Sequence, residues 1–75
     1  MEKIDITKKR KGMFLDALAK AKRGDEILYH VGEYAAGWHK RDALEAEMAG
    51  RCFLYQRRLG DGKFAYIARK RRGQK

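Results

Sequence analysis

The 75-residue chain contains no proline, no serine and no asparagine, and has a single threonine and a single cysteine. Without serine there is no serine nucleophile. Turns and helix ends therefore fall to glycine, aspartate and Thr7. Cys52 alone cannot form an intramolecular disulfide, which fits a reducing compartment. It has no second cysteine to complete a zinc site, and His30, His39 and Cys52 lack metal-ligand spacing. No apolar run approaches the roughly 20 residues that cross a bilayer. The opening MEKIDITKKRKG lacks the apolar stretch of a secretory signal. We expect a cytoplasmic protein with no membrane partner.

What is present is positive charge. Nineteen Lys and Arg stand against ten Asp and Glu, a net charge of +9 on one small domain. Such a field attracts polyanions and accelerates their encounter. Nucleic acid is the first expectation, and an acidic protein surface the alternative. Hydrophobic residues make up 44% of the chain, enough for a core despite 39% charged residues. A chain this short buries only about 60% of its unfolded surface, leaving little spare stability for a strained catalytic site.

Local patterns order the elements. KIDI (residues 3–6) alternates and suits a short strand. Thr7 is placed to cap a helix. In KKRKGMFLDALAKAKR (8–23), Phe14, Leu15, Leu18 and Ala21 form one apolar stripe. Gly12 disfavours the first turn, so the helix is expected from about residue 11, ending at Gly24. DEILYHV (25–31) reads as a buried strand. GEYAAGW (32–38) reads as a helical turn or a loop. HKRDALEAEMA (39–49) reads as a second helix, with Leu44 and Met48 on its core side beside Ala43. Trp38 is expected to pack as an anchor at the helix start.

RCFLYQRRL (51–59) and KFAYIARK (63–70) are strand-like runs around GDG. Asp-Gly between β-formers signals a two-residue type I′ turn. With that turn, Phe53 and Tyr55 share a face with Phe64 and Tyr66. With a three-residue turn they face opposite ways. The two-residue turn is preferred.

The expected fold is therefore α+β, (β)-α-β-α-β-β with a carboxy-terminal β-hairpin. This is winged-helix-like, with the middle helix compressed into Gly32–Gly37. Residues 1–10 read as a basic arm, 11–70 as one domain and 71–75 as a basic tail. The stretches ILYHVG (27–32), the alanine-rich 42–49 and LYQRRLGDGKFAYIARKR (54–71) resemble small uncharacterised phage and prophage proteins of similar layout. That resemblance implies a phage-derived winged-helix-like domain and brings no activity to any named residue.

Catalytic constellations are missing. A lone strand cysteine is usually a small buried hydrophobe. GDGK lacks the context of a phosphate loop. Glu45 and Glu47, two apart on a helix, diverge. We expect no enzyme, no metal and no cofactor. Binding features are stronger: KKRK (8–11), RKRR (69–72), and Arg57, Arg58 and Lys63 around the hairpin turn. These fit a wing that neutralises phosphates. Arg57, Arg58, Lys63, Arg69, Lys70, Arg71 and Arg72 are the expected phosphate contacts. His39, Lys40 and Arg41, at the start of the last helix before the wing, are the expected groove contacts. Asp42, Glu45 and Glu47 oppose base reading by that helix. DNA is favoured over RNA. Single-strand stacking by the sheet aromatics is a secondary reading, since one sheet face must bury itself on the helices.

Overall fold

The computed structural model describes residues 3–34 and 37–71. They form a small α+β domain of two helices and one four-stranded mixed sheet. The elements are β1 (Lys3–Asp5), α1 (Met13–Lys20), β2 (Glu26–Gly32), α2 (His39–Met48), β3 (Cys52–Gly60) and β4 (Lys63–Lys70). Sheet order is β1-β2-β4-β3, with β1 parallel to β2 and the other pairs antiparallel. Residues 33, 34, 37 and 38 form no helix; Ala35 and Ala36 of the ambiguous stretch lie outside the described residues.

Helix α1 starts later than its basic approach suggests. Gly12, at φ 94°, occupies the cap position with no side-chain hydrogen bond. Thr7 caps nothing there. Its backbone N–H and hydroxyl both donate to Asp5 Oδ1, at 2.9 and 2.7 Å, closing a tight turn after β1. Phe14 and Leu18, four apart, are fully buried, each contributing about 1.5–3 kcal/mol. Phe14 meets Tyr29 edge to face, with centroids 5.6 Å apart. The helix ends at Lys20, before Gly24. Lys70 on β4 reaches across, and its Nζ donates to the Leu18 carbonyl at 2.6 Å. That carbonyl also accepts the Ala21 N–H at 3.3 Å, and the cation opposes the negative end of the helix dipole. Backbone bonds Gly24 N–H to Lys70 O and Lys70 N–H to Asp25 O tie the same corner to the sheet.

Helix α2 turns the other way round from the Leu44–Met48 expectation. Leu44 is 43% exposed and Met48 87% exposed. The buried stripe is His39, Ala43 and Ala46. Offsets of four and three make it an equally regular face. Its small alanines allow α2 to sit close over α1 and the sheet. The larger side chains therefore point away.

The hairpin has the two-residue turn. Asp61 (φ 53°) and Gly62 (φ 74°) both hold the positive φ that a type I′ turn requires. Yet the aromatic pairs do not share a face. Gly60 pairs with Lys63, but Arg58 pairs with Phe64, so Leu59 is an extra residue. This bulge shifts the remainder of β3 by one position and reverses its faces. Cys52 and Leu54 join Phe64, Tyr66 and Ala68 in the core under the helices. Phe53, Tyr55 and Arg57 lie on the opposite face with Ala65, Ile67 and Arg69. No described helix covers that outer face. Among the described residues, no helix is long and apolar enough to cross a membrane.

Tyr29 sits where α1, β2 and β4 meet. Burial, with Cys52, Glu47 and Tyr66 nearby, pushes its phenol up to about 12. Burial also raises the Cys52 thiol and the Tyr55 phenol; Tyr55 additionally donates to Glu26. A folded state that holds a proton more tightly than the unfolded chain is stabilised below the unfolded value and loses that term as pH rises through the folded one. The melting temperature should accordingly fall steeply between about pH 10 and 12. Tyr29→Phe should flatten this decline, measured by circular dichroism melts across that range.

Candidate nucleic-acid interface

Strand direction decides which loops meet. β1 and β2 run parallel, so their carboxyl ends point the same way. β4 begins beside the end of β2, with Phe64 opposite Gly32, so the β3–β4 turn lies at that end too. Three connections therefore gather there: residues 6–12, the described residues 33, 34, 37 and 38 between β2 and α2, and the turn at Asp61-Gly62.

Side chains lock the first two together. The Trp38 indole Nε1 donates to the Lys9 carbonyl at 3.1 Å. His39 Nε2 lies 3.0 Å from the Ile6 carbonyl and 3.1 Å from the Lys9 carbonyl. Both neighbours only accept, so Nε2 carries the proton and forks it between them. Nδ1 is buried with no hydrogen-bond partner, as a bare nitrogen can be, whereas an N–H there would go unsatisfied. Gly37, at φ 87°, precedes Trp38 in the left-handed conformation that L side chains rarely adopt, and a Cβ there would lie 3.4 Å from His30 Nδ1.

His39 is therefore not a groove contact. It is 2% exposed, and its ring pins the basic turn to the amino end of α2. The consequence is a cluster that the sequence separates by about thirty positions. Lys8, Lys9, Arg10 and Lys11 are exposed beside exposed Lys40 and Arg41. Trp38, 53% exposed despite its hydrogen bond, stands at their junction. Trp38 is thus both anchor and surface. The amino end of α2 adds its partial positive charge. Arg41 Nε sits 3.7 Å from Glu45, an exposed pair worth little. Glu47 is turned aside, its Oε2 accepting from the Leu54 N–H at 3.2 Å.

The remaining expected residues divide. Arg57, Arg58 and Lys63 are exposed near the turn, with Arg57 and Arg58 on opposite faces of the hairpin. Arg69, Lys70 and Arg71 lie at the far end of β4, about 20 Å from Lys63 along the strand. Lys70 is committed to the Leu18 carbonyl. Arg71 stacks on the Phe53 ring, 4.6 Å from its centroid. Arg72 lies outside the described residues. Hairpin and tail therefore do not make one continuous phosphate track. The 8–11 turn was visible as a basic run, but its position beside α2 follows from the His39 and Trp38 bonds. No signal in the sequence tied those residues together.

Cys52 is buried, and burial raises its thiol, which suits a core residue and not a nucleophile. Among the described residues no group of three His, Cys, Asp or Glu could hold a metal ion.

His39→Ala should cost about 2–4 kcal/mol, from the cavity and the lost forked hydrogen bond. Urea unfolding measures that cost. Amide exchange of residues 7–11 should rise well beyond the global change, because the turn loses its pin. No family model, curated protein or solved structure matches this sequence.

Proposed function

We propose that this chain is a nucleic-acid-binding domain of winged-helix type that binds duplex DNA. The observation carrying this reading is the convergence at one end of the sheet of the 8–11 turn, the amino end of α2 and the hairpin turn. These three segments carry nine cations, Lys8 through Lys11, Lys40, Arg41, Arg57, Arg58 and Lys63, with Trp38 exposed where the first two segments meet.

The element order supports the winged type. Helix, strand, helix and hairpin follow in sequence, and the hairpin is joined to the sheet through β4, so β3 is a free edge. In this reading Lys40 and Arg41 enter the major groove, where Arg can pair with guanine. The 8–11 turn and the hairpin cations take flanking phosphates, which fix register without reading sequence. The acidic side chains of α2 limit base reading. Asp42 is half-buried in the first turn, and Glu45 competes for Arg41. Most of the affinity is then electrostatic and only weakly sequence-specific.

Fluorescence anisotropy with a random duplex at about 50–300 mM salt tests this. Six or more neutralised phosphates give a log–log slope steeper than about −5. Replacing Lys9, Arg10, Lys40 and Arg41 by Ala should weaken binding by at least tenfold and flatten the slope by about three or four. Replacing Lys22 and Arg23, exposed at the opposite end beside Lys70, should change both much less. No binding at the lowest salt, or equal losses from both variants, refutes the assignment of this end.

A further inference from the structure

Apart from Arg57 and Lys63 near the turn, the outer face of the sheet takes no part in the site above. Two buried apolar side chains, Ala65 and Ile67, lie at its centre on β4, with Leu28 and Val31 beside them on β2. Leu28, Ala65 and Ile67 also line an open groove of about 190 Å³. Phe53, 54% exposed, and Leu59 stand at its β3 margin. A sheet face of this kind, apolar at the centre and charged at the rim, is a place where another surface packs.

The register specifies what fits it. Across β2 and β4, Glu26 stands opposite Arg69, Leu28 opposite Ile67 and Val31 opposite Ala65. Consider a two-fold axis lying over the face, parallel to the strands, midway between β2 and β4. It sets β2 of one copy over β4 of the other and leaves each residue at its own height. Every cross-strand pair then becomes a contact between copies. Glu26 meets Arg69 of the second copy, Leu28 meets Ile67, and Val31 meets Ala65. Across its two central strands the face is complementary to itself in charge and in apolar character, as an isologous interface must be, with Glu26 also accepting from Tyr55 of its own copy.

We propose that the outer sheet face is a homodimer interface, with a second copy of this chain packed sheet on sheet about this axis. Packed faces of this kind lie about 10 Å apart with strands nearly aligned. Rotation about an axis along the strands preserves strand direction. The two basic loop ends therefore point the same way, side by side, and both are free to meet one polyanion. The dimer itself does not depend on the DNA reading, since its test contains no nucleic acid.

The experiment is sedimentation equilibrium of the full chain from micromolar to submillimolar concentration, with circular dichroism to confirm folding of each variant. Wild type should be dimeric. Val31→Arg, at a partly exposed position, should raise the dimer dissociation constant at least about tenfold, the effect of a bulky charge at an apolar centre. Glu26→Arg and Arg69→Glu should each be monomeric alone, because each sets like charges face to face. Mixed in equal amounts, they should form a heterodimer in which both pairs are restored. A monomeric wild type overturns the proposal, as does undiminished self-association of both charge variants or a mixture that stays monomeric. A monomer that binds an oligo-dT strand through Phe53 also overturns it, and assigns the face to single-stranded nucleic acid.

Discussion

The forked hydrogen bond of His39 to the carbonyls of Ile6 and Lys9 is the constraint around which the domain is arranged. Beyond Thr7 and the buried Ile6, the chain carries four consecutive cations that repel one another. Left alone, such a turn would stay solvated. Two acceptors on one imidazole, with the Trp38 indole on the same Lys9 carbonyl, hold it against the start of α2. The cost is a buried imidazole with one nitrogen unpartnered. With the proton on Nε2, that nitrogen is an acceptor buried without a donor.

The same contact explains why α2 buries so little. With His39 inside, the helix axis is fixed at its amino end, and the stripe in phase with His39 is Ala43 and Ala46. Alanine contributes little apolar area but permits close approach. Bulk comes instead from Phe14, Leu18, Ile27, Tyr29 and Tyr66. The opposite corner depends on Lys70, whose ammonium binds the end of α1. A domain with this small a core uses polar ties at both ends of its helical layer. One of them takes a cation away from the surface, where its neighbours Arg69 and Arg71 remain.

The two bulges shape the sheet. One extra residue at Leu59 places Phe53 and Tyr55 outward, and another at Tyr29 lets both Tyr29 and His30 approach Tyr66. The outer face that results is aromatic, aliphatic and charged in alternation. The basic loops lie at the end of the sheet and not on this face. Arg57 and Arg69 stand on the face itself, among its apolar side chains.

Sequence alone determined the order of elements, because period-two and period-3.6 patterns and the Asp-Gly turn are local properties of short segments. It also determined the net positive field and the burial of Phe14 and Leu18, which no competing stripe challenged. What it could not decide were choices between equally regular alternatives. Leu44–Met48 and His39–Ala43–Ala46 are both helical stripes, and only the space beneath α2 selects between them. A bulge adds one residue without a distinctive composition, so the faces of β3 depend on how β4 packs under the helices. The basic residues of 8–11 and 40–41 lie thirty positions apart. Their meeting is set by a histidine whose role reads, in the sequence, like that of any surface histidine at a helix start.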